Sequence, residues 1–200
     1  MLYDLEAVVD ARALGRFALL GISAGAATSI AYAVRHPHRV SKLVLVGGYA
    51  QGRNKRDSAQ DAEEAQAFVT MVRHGWGDDR LIFARAFFSF FVPTGTPEQL
   101  KSFVELARVS ISSTRNSVDL RRAVDDIDIV DLLPKVSVPT IVFHCIHDRL
   151  VPFDHGRRLA AAIPNSRFVP LDSENHALLS TEPAWAKMVN EMEAFLADGS

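Results

Sequence analysis

The sequence predicts an α/β fold in which a parallel sheet of about four strands is flanked by helices and interrupted by a helical insertion. Three observations carry this. Short apolar runs at 17–20, 43–46, 140–143 and 167–171 alternate with segments of helical periodicity, the pattern of buried parallel strands joined by helices. Residues 50–134 show no strand pattern and are too many for a simple crossover, so they form an inserted helical cap. Pro170 inside the last run removes a ladder donor and suits only an edge strand, which ends the sheet there. The chain therefore divides into 1–49 and 135–200, the two parts of the core, and 50–134, the cap.

The first helix covers residues 2–13, where Leu2, Leu5, Val8 and Val9 share one side and leave Asp4, Glu6 and Asp10 to solvent. Phe17-Ala18-Leu19-Leu20 reads as a strand buried on both faces. An Ala-rich helix follows from Ala24 to Arg35 and stops before His36-Pro37. Leu43-Val44-Leu45-Val46 is the second strand, ended by a turn at Gly47-Gly48. Within the insertion, helices are expected at Ala59–His74, Arg80–Phe91, Pro97–Ile111 and Ser117–Leu133. Thr140–Phe143 is the third strand, 154–163 a helix and Arg167–Leu171 the fourth strand. The final helix, Pro183–Leu196, places Trp185, Met188, Val189, Met192, Phe195 and Leu196 on one face.

Composition bounds the function. With 48% apolar residues the chain can bury a sizeable core, and 22 basic against 24 acidic residues give a net charge of −2, with no basic excess to hold nucleic acid or an anionic membrane. No apolar stretch is long enough to span a bilayer. The lone Cys145 forbids an internal disulfide, and Met1–Glu6 lacks the features of a secretion signal, so the chain reads as cytoplasmic.

The chemistry starts at Gly21-Ile22-Ser23-Ala24-Gly25, a Gly-x-Ser-x-Gly run between the first strand and the second helix. A serine on such a sharp turn is held in a strained conformation with its hydroxyl exposed, and glycines two positions away avoid collisions. The plain alternative is a helix N-terminal serine in a tight packing turn. A hydroxyl is a poor nucleophile near neutral pH without a histidine to take its proton and a carboxylate to orient that histidine. Asp148 follows the third strand and His176 the fourth, so all three groups leave carboxyl ends of strands, where open parallel sheets bind ligands. Asp154, Asp172 and Glu174 are rivals for the acid. His144, Cys145 and His147 offer too few convergent ligands for zinc.

The order Ser23, Asp148, His176, with intervals of 125 and 28 residues, resembles the α/β-hydrolase superfamily. His36-Pro37-His38-Arg39-Val40 leading into the second strand, and Val138-Pro139-Thr140 leading to Asp148, extend the resemblance over essentially the whole chain. It implies cleavage of a carboxylic ester or related acyl bond of a small apolar substrate, with no metal or organic cofactor. Ser23 would be the nucleophile, His176 the base and then acid, Asp148 its orienting group and the Ala24 amide one oxyanion donor. Carbon–carbon bond hydrolysis uses the same constellation. The superfamily's strands before the nucleophile strand, which supply a second oxyanion donor, are not in these residues, so the expectation is a partial fold completed by a preceding segment or by an oligomeric partner.

Residues 128–185 are also similar to hydrolase-like domains fused to regulators or cyclases, which implies as an alternative a weakly catalytic ligand-sensing domain. The run from Leu81 to Val92 packs the cap, and some of its rings could line a substrate pocket. The hydrolase reading requires the Ser23 hydroxyl within about 3.2 Å of a His176 ring nitrogen.

Overall fold

The structure is a computed structural model that describes residues 1–75, 82–110 and 113–198. Four strands, β1 (Phe17–Ile22), β2 (Val40–Val46), β3 (Thr140–Cys145) and β4 (Ser166–Leu171), pair in parallel in the order β1-β2-β3-β4. Because every pair is parallel, the carboxyl ends of all four strands lie along one rim, and because spatial order follows chain order, consecutive strands are neighbours there. The helices are α1 (Leu2–Ala11), α2 (Ala24–Arg35), α3 (Ala59–Gly75), α4 (Ile82–Ser89), α5 (Pro97–Ser110), α6 (Thr114–Asp125), α7 (Phe153–Ala162) and α8 (Pro183–Ala197). Arg80 and Leu81, expected to open one helix, and Ile111, expected to close another, lie outside the described residues.

Alternation along the central strands feeds two cores. Leu43 and Leu45 of β2 and Val142 of β3 pack with Ile30 and Tyr32 of α2 and Leu159 of α7. Val44, Val46, Ile141 and Phe143 point to the other face, toward Ala184 and Met188 of α8. A third cluster, including Phe68, Val72, Phe87, Phe88, Val104 and Val124, joins α3 to α6 to one another and reaches Leu150 and Val151 beyond β3. Pro170 sits on the edge strand β4, opposite His144.

Several local expectations fail for identifiable reasons. The first strand is buried on one face only: Leu20 is 48% and Ile22 54% exposed, while α8 packs chiefly on β3 and β4. Val8 points outward from α1 while Val9 is buried. Nor are the acidic residues of α1 simply solvated, since Glu6 accepts from His36 and Asp10 from Arg39. In α8, Trp185 and Leu196 lie on the exposed side although they fall within the apolar stripe. The single helix expected over Ser117–Leu133 is instead α6, begun by the Ser113 side chain capping the Asn116 N–H and ended at Asp125. After it the backbone at Ile127 and Ile129 bonds to Gly52 and Ala50, and Asp128 forms an isolated bridge with Gln51. Those bonds replace the helical ones, and a short 3-10 turn then runs over Val130–Lys135.

The turn between β1 and α2 treats its two glycines differently. A Cβ on Gly21 would lie 2.7 Å from Ser29 Oγ, 2.8 Å from Ala26 Cα and 2.9 Å from the Gly25 oxygen, so strand and helix meet there with no room for a methyl group. At Gly25 a Cβ would meet nothing within 4 Å, contrary to the expectation that both flanking glycines relieve a collision. Gly21→Ala is therefore expected to lower the unfolding free energy by about 1–3 kcal/mol through overpacking. Gly25→Ala, inside a helix with open space ahead of it, should change it by less than about 1 kcal/mol. Urea unfolding of both variants checks the asymmetry, and equal losses would contradict it.

In the first turn of α7, burial, aided by the cations of Arg56 and Arg158, pushes the His155 imidazole from its ordinary 6.5 down to about 4. Between those two values the unfolded chain holds a proton on His155 that the folded chain does not, so acidification favours unfolding. Stability should fall as pH drops from about 6.5 toward about 4. Thermal unfolding over that range should show a shallower decline for His155→Gln than for the wild type, and identical slopes would contradict the assignment.

Candidate active site

Ser23 stands at the end of β1 with φ 54° and ψ −126°, a conformation that costs a non-glycine residue about 1–3 kcal/mol and persists only where its surroundings enforce it. Its N–H donates to the Val46 carbonyl at 2.8 Å, and its own carbonyl takes the Ala26 N–H at 3.0 Å. Adjacent strand and following helix thus hold the turn. Ala24, the first residue of α2, has a backbone N–H with no acceptor four residues back in the helix.

Asp148 lies in the loop between β3 and α7 with its side chain 1% exposed. One carboxylate oxygen accepts from the N–H groups of Leu150 and Val151, each at 2.9 Å, folding the loop around the side chain. The other oxygen is 2.6 Å from His176 Nδ1. His176, in the loop after β4, is buried, and its Nε2 lies 2.8 Å from Ser23 Oγ. The structure therefore brings the three residues together in one chain of hydrogen bonds. Neither Asp154, Asp172 nor Glu174 occupies the position beside the imidazole.

The carboxylate sets the direction of those bonds. As an acceptor it takes the Nδ1 proton, which leaves Nε2 bare and able to accept from the serine hydroxyl. A proton can move from Oγ to Nε2 without any rearrangement of the ring.

Other residues shape this arrangement without having shown themselves in the sequence. Gly47, read there only as a turn after β2, has φ +60°, and a Cβ on it would sit 3.0 Å from His176 Cε1. Its missing side chain makes room for the imidazole; a glycine directly after a buried strand is the one signal that could have pointed to it. His144, weighed as a metal ligand, is fully buried and donates from Nε2 to the Val151 carbonyl at 2.8 Å, pinning the loop that carries Asp148. Burial pushes its imidazole below the ordinary value, which favours this neutral form. His147 lies on the exposed side of the same loop. Cys145 fills the core between β3 and α8, and burial pushes its thiol up to about 12. Phe91 meets the His176 ring edge-on at a centroid distance of 5.6 Å.

Above Ser23 opens a cavity of roughly 260 Å³. Ser23, Ala24 and Gly25 form its floor, Phe87, Phe88 and Phe91 one wall, and Leu120 and Val124 of α6 another. Part of the Phe-rich run therefore lines the space over the serine, while Phe83 and Phe90 are largely exposed. Among the described residues, no helix is long and apolar enough to cross a membrane.

Residues 1–183 match the family model of the alpha/beta hydrolase fold. The chain is similar to AB hydrolase superfamily protein YisY of Bacillus subtilis, at 28% identity over 90% of this chain and 66% of that protein. It is also similar to pyrrolizixenacetamide deacetylase of Xenorhabdus hominickii, at 27% identity over 84% of this chain and 62% of that protein. It thus spans a little under two thirds of the length of these relatives. The solved esterase of Exiguobacterium antarcticum shares the fold with a TM-score of 0.83 at 24% identity, covering 99% of this chain and 73% of the esterase. With a family match over nearly the whole chain and a sheet that superposes on that of a solved hydrolase, the protein belongs to the α/β hydrolase fold family.

Proposed function

We propose that this chain carries the catalytic centre of a serine hydrolase that cleaves an ester or related acyl bond of a small apolar substrate. The observation that carries the reading is the imidazole of His176, held by Asp148 at 2.6 Å and 2.8 Å from a serine hydroxyl that faces an apolar cavity. The names of relatives, a deacetylase and an esterase among them, support acyl chemistry.

In the proposed reaction Ser23 Oγ attacks the carbonyl carbon as its proton passes to His176 Nε2, and Asp148 stabilises the imidazolium. The Ala24 N–H donates to the oxyanion of the tetrahedral intermediate. Collapse breaks the bond to the leaving alcohol, which takes the proton from Nε2 and leaves an acyl group on Ser23. Water then gives a proton to the same nitrogen as its oxygen adds to the acyl carbon, and collapse breaks the bond to Ser23 Oγ, which takes that proton back as the acid leaves. Helices α3 to α6 act as the cap that encloses the acyl group, and a cavity of roughly 260 Å³, near the lower end of ligand pockets, favours short acyl chains.

Steady-state hydrolysis of nitrophenyl esters tests this directly. The wild type should turn over acetyl and butyryl esters faster than decanoyl ones, with a burst of nitrophenol. Ser23→Ala should lower kcat by at least about 1,000-fold while the protein stays folded. Turnover indifferent to the substitution would refute the reading, and saturable ester binding with no turnover in the wild type would favour the ligand-sensing alternative.

A further inference from the structure

The loop that carries His176 is fastened twice to the turn that follows α4, at Thr94 and at Phe91, whose ring lines the cavity. Immediately before the histidine, the buried Asn175 spends its whole side-chain amide on bonds. Its Oδ1 accepts the Thr94 N–H at 3.1 Å, while Nδ2 donates to Thr94 Oγ1 at 2.6 Å and to Glu182 Oε1 at 2.9 Å. The backbone donor at Thr94 fixes which end of the amide is oxygen. Immediately after the histidine, the Ala177 N–H donates to the Phe91 carbonyl at 2.9 Å.

A second set of bonds holds the same loop to the N-terminal end of α8. Asn175 N–H donates to Ser173 Oγ at 3.0 Å, the Ser173 hydroxyl donates to Glu182, and Glu182 Oε1 also takes the Leu179 N–H at 2.6 Å. Those contacts tie the loop to Glu182 at the start of α8. The bonds to Phe91 and Thr94 add something different, because they come from the segment whose rings Phe87, Phe88 and Phe91 line the cavity over Ser23.

From this juxtaposition we propose that Asn175 is a positioning residue which, clasped to Thr94, ties the placement of His176 to the helical layer that encloses the substrate cavity. The inference rests on the reading of His176 as the proton acceptor. A reacting group displaced by about 1 Å can lose on the order of 100-fold in rate, so an imidazole 2.8 Å from its hydroxyl has little slack. The clasp makes that distance depend on the packing of the turn between α4 and α5. It acts on the transition state and leaves the substrate's own contacts alone, so it should appear in kcat and not in KM.

The test uses Thr94→Val, Thr94→Ser, Asn175→Ala and the Thr94→Val/Asn175→Ala double variant, with Ser23→Ala as control. Thr94 is exposed, so its valine variant keeps the shape of the turn and loses only the hydroxyl. Thr94→Val should lower kcat roughly 3- to 10-fold, the worth of one hydrogen bond, with KM within about twofold of wild type. Thr94→Ser should restore kcat. The double variant should lose no more than Asn175→Ala alone, since both substitutions break one link. In parallel, the ring nitrogen signals of His176 in 15N NMR spectra should shift in Thr94→Val and return in Thr94→Ser.

Wild-type kcat and an unmoved His176 signal in a folded Thr94→Val would overturn the proposal, as would losses that multiply in the double variant. Should Asn175→Ala fail to fold, Thr94→Val and the ring signals decide the matter. If ester turnover proves independent of Ser23, the functional reading fails by itself. The ring signals then still judge the clasp, supporting it if they move and overturning it if they do not.

Discussion

A carboxylate has no proton to give, and the tautomer of His176 follows from that. Asp148, buried and within 2.6 Å of Nδ1, requires the ring proton on that nitrogen, which leaves Nε2 as an acceptor aimed at the Ser23 hydroxyl. Most of what surrounds the site serves this one orientation. The N–H groups of Leu150 and Val151 occupy the other carboxylate oxygen, His144 pins the Val151 carbonyl, and the bare face of Gly47 lets the imidazole lie where a side chain would displace it. Both side chains are buried, so an imidazolium formed beside that carboxylate would be stabilised without any group having to move.

The sheet makes such an arrangement cheap to assemble. Parallel pairing puts the carboxyl ends of β1, β3 and β4 on one rim, so residues separated by 125 and 28 positions in the chain meet through the loops that leave it. The strained backbone at Ser23 is held between the Val46 carbonyl and the first turn of α2, and the close approach at Gly21 lets that helix sit against the strand. Strain at the serine is thus offset by packing that reaches back into the core formed by Leu43, Leu45 and Ile30.

Much of this was legible because it rests on local pattern. Apolar runs ended by turns located all four strands, the Pro170 position marked an edge, and the Gly-x-Ser-x-Gly turn, with an acid and a histidine after later strands, pointed to Ser23, Asp148 and His176. What escaped depends on neighbours distant in sequence. The apolarity of Leu20 and Ile22 is the same whether or not a helix covers them, so the open face of β1 was invisible. Helical periodicity ran on past Asp125 because pairing of Ile127 and Ile129 with the loop at residues 50–52 leaves no trace in the local pattern. Gly21 and Gly25 look equivalent in the motif, yet only one is in close contact. The bonds between Asn175 and Thr94, 81 residues apart, have no sequence signal at all.

If Asp148, acting through His176, makes the Ser23 hydroxyl nucleophilic, that hydroxyl reacts with an electrophile where the other hydroxyls of the chain do not. Peptide mapping after treatment with a fluorophosphonate measures that most directly. A single covalent adduct on Ser23 is expected, formed at neutral pH and suppressed when His176 is replaced by Gln. An unmodified Ser23, or an adduct that forms there equally fast without the imidazole, would contradict it.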